Sequence, residues 1–281
     1  MVRDDLGNRM KEFYENRSKT YLTRRVPVII RLDGKAFHTF TKCFKRPYDE
    51  ILHKTMNATM KYLCENIQGC KVGYTQSDEI TLLLTDYDNL QTDAWFGYNV
   101  QKVCSIAASM ATLAFNQNLF ANLNVYELEW AHSLTPQSVE LQEEHRKYVD
   151  SIRQAISKGA LFDARCFSIP KEEVTNCFIW RQQDATRNAI QMLGQCNFSH
   201  KELDKKSCDE IQDMLWVEKG INFNNYSPEF KRGVCCYKTQ KEHITIDIQT
   251  KEKKSCLRSF WELDFDIPIF TQDRDYIERY V

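Results

Sequence analysis

The feature that most constrains this chain is a mostly apolar, β-branched run at residues 28–32 that ends abruptly in Asp33-Gly34. Such a run predicts a buried β-strand, and a strand that delivers a carboxylate at its carboxyl end is a common start for a metal or phosphate site. Asp-Gly after a strand is also an ordinary turn sequence. Taken alone, this stretch leaves both interpretations open.

A second acidic interruption favours the metal site. Residues 72–84 are typical of two strands, and Ser77, Asp78 and Glu79 interrupt them. Residues 47–66, which lie between the two stretches, carry apolar side chains at helical spacing. A right-handed crossover of this strand–helix–hairpin unit brings Asp33 beside Asp78. Two adjacent carboxylates repel each other, and a cation that prefers hard oxygen ligands, such as Mg²⁺, relieves that repulsion.

The rest of the chain predicts further alternation of helices and strands. Residues 99–120 give the strongest helical pattern, and a helical excursion near 126–159 ends at Gly159, a residue that commonly stops helices. Ser199 and Ser207 each precede a Glu at the spacing of a capping box. The other predicted elements are a strand at 160–169, a helix at 171–193, a strand at 243–248 and an extended segment at 258–269 with Trp261 and Phe265 buried.

Composition excludes several classes of protein. The chain is 42% hydrophobic and 27% charged, which is typical of a globular domain with a real core. It has no apolar run as long as a membrane span, and its start lacks the apolar centre of a signal peptide. Its 11 cysteines include no C-x-x-C pair, so we expect free thiols, a cytoplasmic location and no membrane partner. The net charge of −1 excludes a uniformly basic surface but not a basic face for nucleic acid.

Four motifs follow one another in order along the chain. The first two occupy residues 31–40 and 73–79. The third begins at 163–165 and continues through 179–184 to Asn188, and the fourth joins 220–225 to 230–234. Together they resemble the tRNA-His guanylyltransferase family and its relatives, the guanylyltransferase-like 3′–5′ polymerases.

The resemblance implies an α/β (α+β) fold with a polymerase-type palm, that is, a ferredoxin-like βαββαβ antiparallel sheet covered by helices. It implies a palm-like catalytic core over residues 1–175, with a helical insertion near 126–159. Residues 176–281 would form a mostly helical, fingers-like region with an extended tail. The family also implies a homotetramer.

The implied activity is that of a nucleotidyltransferase that uses two Mg²⁺ ions, takes ATP, GTP or another NTP as substrate, and acts on tRNA. Asp33, Asp78 and Glu79 match the family's catalytic residues, and Asp33, Asp78 and the Gly34 carbonyl match its metal ligands. The implied nucleotide-binding residues are Asp33, Gly34, Lys35, Ala36, Phe37, His38, Ser77, Asp78 and Lys102.

Reasoning from the residues themselves leaves three of these roles open. On a strand, Glu79 would point away from the face that carries Asp78. His38 fits either a phosphate contact or a local stabiliser of the turn. Lys102 fits either an exposed lysine or a phosphate contact.

One departure from the family pattern bears on the substrate. Members specific for tRNA-His carry His-Ile-Asn-Asn after the acidic residue that matches Asp184, whereas residues 185–189 here read Ala-Thr-Arg-Asn-Ala. We therefore expect template-dependent repair of tRNA 5′ ends. The alternatives are addition of guanosine to tRNA-His, another palm-type nucleotidyl enzyme such as a cyclase, and a non-catalytic palm scaffold that binds RNA.

Overall fold

The structure, a computed structural model, describes residues 4–133, 138–246 and 253–281. Its strands are β1 (Val28–Gly34), β2 (Cys70–Gln76), β3 (Glu79–Leu84), β4 (Phe162–Ser168), β5 (Val234–Ile246) and β6 (Lys253–Asp264). They form one antiparallel sheet in the order β4-β1-β3-β2-β5-β6.

Helices precede, connect and follow these strands. The two longest of the described helices lie in the middle of the chain. The helices are α1 (Asp5–Phe13), α2 (Phe37–Phe40), α3 (Glu50–Asn66), α4 (Val100–Ala131), α5 (Val139–Lys158), α6 (Lys171–Asn197), α7 (His200–Leu203), α8 (Cys208–Lys219), α9 (Pro228–Arg232) and α10 (Asp275–Glu278).

The first four strands, with α3 and α4, form the predicted ferredoxin-like unit. Their chain order is β1-α3-β2-β3-α4-β4 and their order in the sheet is β4-β1-β3-β2, so the predicted antiparallel palm is confirmed. The side chain of Asp49 caps α3 by accepting from the amide of Leu52 at 2.9 Å. Asn99 caps α4 in the same way. Both caps satisfy amides that have no acceptor inside the helix.

The predicted helical excursion near 126–159 is present, and it consists of the end of α4 together with α5. Helix α4 continues 11 residues past the predicted end at 120, and α5 returns antiparallel to it, with Arg153 of α5 paired to Glu127 of α4. Gly159 ends α5 with a φ of 71°, a conformation in which a side chain would be strained. The two capping boxes, at Ser199 and Ser207, are also confirmed.

The tail extends the palm sheet, which the sequence pattern did not predict. Strand β5 begins at Val234 and pairs with β2, so the predicted strand at 243–248 is only its end, and residues 247 and 248 lie outside the described residues. Trp261 is half-buried. The predicted burial of Phe265 is wrong, because β6 ends at Asp264 and the Phe265 ring lies beyond the sheet, 41% exposed.

The core lies on both faces of the sheet. One face packs against α3 and α4 through the largest apolar cluster, and the other packs against α6 and the C-terminal residues 267–281. A third, smaller cluster joins α6 to α8. Among the described residues, no helix combines the length and the apolar character needed to cross a membrane. One end of the sheet, where β1 meets the β2–β3 hairpin, lies between the helices that cover its two faces.

Candidate active site

Asp33 and Asp78 meet at this end of the sheet. Strands β1 and β3 pair so that Asp33 lies opposite Glu79, and the amide of Gly34 donates to the Asp78 carbonyl at 3.1 Å. The β2–β3 hairpin turns through Ser77 and Asp78 alone, because Gln76 already pairs with Glu79. Ser77 adopts a φ of 54°, and its hydroxyl contacts the Asp78 carboxylate at 3.1 Å. The crossover thus brings the two acidic stretches together.

The two carboxylates are destabilised as anions. Burial, and then the charge of Asp33, raises the pKa of Asp78. Burial, and then the charges of Glu79 and Asp163, raises the pKa of Asp33. Among the described residues, neither carboxylate has a Lys, Arg or His nitrogen within 4.0 Å. Two hard anionic ligands without a cationic partner are the donor set that a divalent cation fits.

The protein alone does not complete a metal cage. In the described part of the chain, no three His, Cys, Asp or Glu side chains gather to hold an ion. Mg²⁺ is usually held by one or two carboxylates together with water and substrate phosphates. The residues present therefore fit Mg²⁺ that arrives with a nucleotide better than a metal bound by protein ligands alone.

The loop after β1 covers part of the cleft. A side chain at Gly34 would collide with the Phe37 ring, and Ala36 adopts a left-handed φ of 54°. Gly34, Ala36, Phe37 and His38 line the cleft. Lys35 does not line it, because its amide donates to the Leu161 carbonyl at 2.8 Å and its side chain is exposed. His38 contacts Thr39 at 3.0 Å, so its two predicted roles remain compatible with the structure.

Two cavities share the carboxylate pair. The larger, about 610 Å³, extends from Asp33 and Asp78 along α3 towards α9. The smaller, about 210 Å³, lies beneath α6 and is lined mostly by polar groups, including Gln76, Arg181 and Asn188. The larger cavity has room for a nucleotide, since ligand clefts commonly measure ~300–1,000 Å³.

Sequence reasoning missed most of the far wall of the larger cavity. Lys45 and Arg46 line this wall. The Asp49 carboxylate beside them accepts from the amide of Lys45 at 2.8 Å and from the Tyr148 hydroxyl at 2.6 Å. Phe230 of the fourth motif also lines this cavity, and the lining residues that the sequence did not single out include Tyr48, His53, Asn57 and Glu229. They come from α3, α9 and the loop before α3, and no local pattern links these segments.

Lys102 does not join the cleft within one chain. It lies in the first turn of α4, with its ammonium 5.9 Å from the centre of the Phe96 ring. The cleft end of β4 is bound to a later part of α4, where Thr112 accepts from the amide of Phe162 at 3.1 Å. Ten residues of helix separate Lys102 from Thr112, or about 15 Å. Lys102 therefore lies near the opposite end of the sheet within one chain, and its predicted phosphate contact stays a prediction.

Two arginines donate hydrogen bonds to the Glu79 carboxylate. Arg31 donates to its two oxygens at 3.2 and 2.8 Å, and Arg181 of α6 approaches both at 3.2 and 2.9 Å. Arg181 also reaches Asp184 at 3.3 Å, and Asp184 pairs with Arg187. The third acidic residue of the predicted set is thus neutralised by cations, unlike the other two.

A family comparison identifies this arrangement. The model of the tRNAHis guanylyltransferase family matches residues 7–170, which is more than half of the chain. The chain belongs to this family. It is accordingly a nucleotidyltransferase.

Individual relatives agree with the family match. The tRNA(His) guanylyltransferase of Saccharomyces cerevisiae is 27% identical over 240 residues, covering 80% of this chain and 88% of the relative. The enzyme of the same name from Kluyveromyces lactis is 26% identical over 235 residues, covering 79% and 86%.

Solved structures extend the likeness of this guanylyltransferase-family chain over nearly its whole length. A bacterial tRNA(His) guanylyltransferase-like protein in complex with ATP is 39% identical, with a TM-score of 0.76 and 98% of both chains covered. A complex with GTP, also of a bacterial guanylyltransferase-like protein, is 36% identical, with a TM-score of 0.72 and 99% of both covered. These likenesses agree with the observed antiparallel palm.

Proposed function

We propose that this protein adds nucleotides in the 3′–5′ direction to the 5′ end of tRNA, under the guidance of a template, and thereby repairs truncated 5′ ends. The observation that carries the proposal is the pair formed by Asp33 and Asp78, two partly buried carboxylates that have no cationic partner among the described residues and lie at the mouth of a nucleotide-sized cleft. Relatives named as tRNA(His) guanylyltransferases and relatives bound to ATP and GTP support tRNA and nucleoside triphosphates as substrates.

Different residues would bind the metal ions and the triphosphate. Asp33, Asp78 and the Gly34 carbonyl would hold two Mg²⁺ ions. Bound metal ions would supply activation of a 3′-hydroxyl and neutralisation of charge on the leaving pyrophosphate. The loop through Ala36, Phe37 and His38 would confine the triphosphate beside the carboxylates.

The substrate preference rests on α6. The third motif continues along this helix, and Asn188 lines both cavities. Asn188 and Ala189 of the stretch 185–189 therefore lie at the cleft, and this stretch lacks the His and one Asn of the motif that accompanies specificity for tRNA-His. Loss of those residues favours an enzyme that takes many tRNAs, with base pairing to a template as the source of accuracy.

Addition of guanosine to tRNA-His is the second candidate. The curated relatives given above both carry that name. A cyclase or a non-catalytic RNA-binding palm has less support, because the four motifs occur together and the carboxylate pair is intact. The homotetramer, the two-part division at residue 175 and the cytoplasmic location stay predictions.

The test is a nucleotide-incorporation assay with purified protein, Mg²⁺ and labelled NTPs. One substrate is full-length tRNA-His, and the others are several tRNAs that lack their first 5′ nucleotide. We expect the missing templated nucleotide to be restored on many tRNAs, and we expect no incorporation by Asp78→Ala. A matched control is Asp209→Ala, which removes an exposed carboxylate from the first turn of α8.

The outcomes separate the candidates. Addition confined to full-length tRNA-His would overturn the repair proposal in favour of the second candidate. NTP turnover without incorporation into any tRNA would point to the cyclase-like alternative. Binding of tRNA with neither reaction would leave the non-catalytic scaffold.

A further inference from the structure

We propose that Glu79 is a positioning residue, which holds α6 against the metal-binding end of the sheet, and is not a third metal ligand. The inference deepens the proposed function, because the edge that α6 is held against is the proposed site of nucleotidyl transfer. It concerns how Glu79 acts, since the family resemblance implies only that this residue is catalytic.

The contacts of Glu79 leave it no vacant ligand position. Each carboxylate oxygen accepts from Arg31 of β1 and from Arg181 of α6, at distances between 2.8 and 3.2 Å. A metal ion would have to compete with two guanidinium groups for these oxygens. Asp33 and Asp78 differ from it, because no described cation lies within 4.0 Å of either of them.

Release of Glu79 would be costly because of Arg181. Its side chain is only 6% exposed, and its Nε has no hydrogen-bond partner in the described part of the chain. Its charge is neutralised by the carboxylates of Glu79 and Asp184. Its guanidinium carbon also lies over the Trp180 ring, 3.6 Å from the ring centre. A buried guanidinium that loses its carboxylate is strongly destabilising. The pair therefore behaves as a clamp between the sheet and α6.

The clamp determines what α6 presents to the cleft. Arg181, Asp184 and Asn188 are spaced at i, i+3 and i+7, which places them on one face of the helix. All three line the smaller cavity together with Asp33 and Asp78. A small rotation or shift of α6 would displace Asn188 from the carboxylate pair, and misplacement of a site by ~1 Å commonly costs ~10²-fold in rate.

The first experiment separates a ligand from a positioning residue by metal binding. Equilibrium binding of Mn²⁺ in the presence of a non-hydrolysable ATP analogue is followed by electron paramagnetic resonance for the wild type, Glu79→Gln, Asp78→Asn and the control Glu172→Gln, which alters an exposed carboxylate in the first turn of α6. We expect Asp78→Asn to weaken Mn²⁺ binding at least ~10-fold. Glu79→Gln should change it less than about 3-fold and resemble the control, because only a ligand's loss removes a metal bond.

The second experiment tests whether Glu79 acts through Arg181. The variants Glu79→Gln, Arg181→Gln and the double variant are compared for kcat on the tRNA substrate and for thermal unfolding. Each single change should lower kcat by about 10²-fold, and the double variant should be no worse than the poorer single variant. Arg181→Lys keeps the positive charge but loses the planar guanidinium, and it should retain more activity than Arg181→Gln.

Two results would overturn the proposal. One is a loss of Mn²⁺ affinity in Glu79→Gln equal to that in Asp78→Asn. The other is a double variant in which the fold-losses of kcat multiply and the losses of melting temperature add, as they do for two independent residues. If the wild type incorporates no nucleotide into tRNA, the proposed function fails, but the Mn²⁺ titration and the thermal cycle still decide the role of Glu79.

Discussion

The two ends of the β1–β3 strand pair treat their acidic residues in opposite ways. At one end, Asp86 follows β3 with its side chain fully buried, and it accepts from Arg24 Nε at 2.6 Å and from the amide of Arg25 at 2.8 Å. At the other end, Asp33 and Asp78 are partly buried beside each other, and neither has a Lys, Arg or His nitrogen of the described residues within 4.0 Å.

The difference shows which carboxylates serve the fold and which serve a ligand. A buried anion with two close donors has its desolvation cost offset inside the chain. Two neighbouring anions without donors of that kind raise the free energy of the folded protein, and a bound cation would lower it. We therefore interpret Asp86 as structural and the Asp33–Asp78 pair as functional, and the following predictions test that contrast.

The largest expected effect is on activity. Asp33→Asn keeps the size of the side chain but removes a charge from the proposed metal site, so kcat for nucleotide addition should fall by roughly 10³-fold. Steady-state incorporation, normalised to folded protein, measures the effect. Asp86→Asn serves as the matched control, and a comparable loss of kcat in that variant would contradict the contrast.

The next effect is on stability at the opposite end. Asp86→Ala removes the acceptor of the Arg25 amide and of Arg24 Nε, although Arg24 keeps Asp93 at 3.5 Å, so we expect the free energy of unfolding to fall by about 2 kcal/mol. Urea denaturation gives the value. A fall of less than about 1 kcal/mol would mean that Asp86 contributes little to the fold.

A smaller effect of opposite sign is expected for Asp78. Because the folded state raises the pKa of Asp78 above its ordinary value of 3.8, ionisation of this carboxyl destabilises the metal-free fold as the pH rises through that range. Asp78→Asn should therefore raise the melting temperature of the metal-free protein at neutral pH by roughly 2–4 °C.

The same sign predicts a pH dependence. The stability gain of Asp78→Asn should shrink as the pH falls below the raised pKa, because the wild-type carboxyl is then protonated as well. Calorimetric scans in a chelating buffer between pH 3 and pH 8 measure it. A stability loss at neutral pH would show that the Asp78 charge is compensated within the chain.

The smallest effect is expected at the exposed ion pair next to the cleft. Asp163 and Arg165 are 3.0 Å apart, with more than half of each side chain exposed. Arg165→Gln should change the free energy of unfolding by less than about 0.5 kcal/mol, as exposed pairs usually do. A larger change would indicate that Arg165 already neutralises the carboxylate end of the sheet, which would weaken the contrast.

Much of the fold follows from local patterns. The crossover of β1, α3 and the hairpin was predictable because apolar periodicity and short turns specify those elements. The end of α4 at Ala131 was not predicted, because it depends on packing against α5. The addition of β5 and β6 to the sheet was also missed, since pairing between Val72 and Tyr237 leaves no trace in either segment alone.

The site divides in the same way. The motifs located Asp33, Asp78 and the loop to His38, and the structure places most of that loop at the cleft. They suggested Lys102, which a single chain does not bring there. They did not indicate that Glu79 would be held by Arg181, which is 102 residues away in the sequence.

By itself, the sequence determined the ferredoxin-like order of elements and the meeting of two acidic turns, because both depend on patterns within short stretches and on the handedness of one crossover. Only the tertiary structure decided which acidic residues have partners. Charge compensation depends on distances between segments far apart in the chain, as in the contacts of Arg24 with Asp86 and of Arg181 with Glu79. Asp33 and Asp78 are distinguished by the partners they lack among the described residues, and residue spacing cannot reveal that.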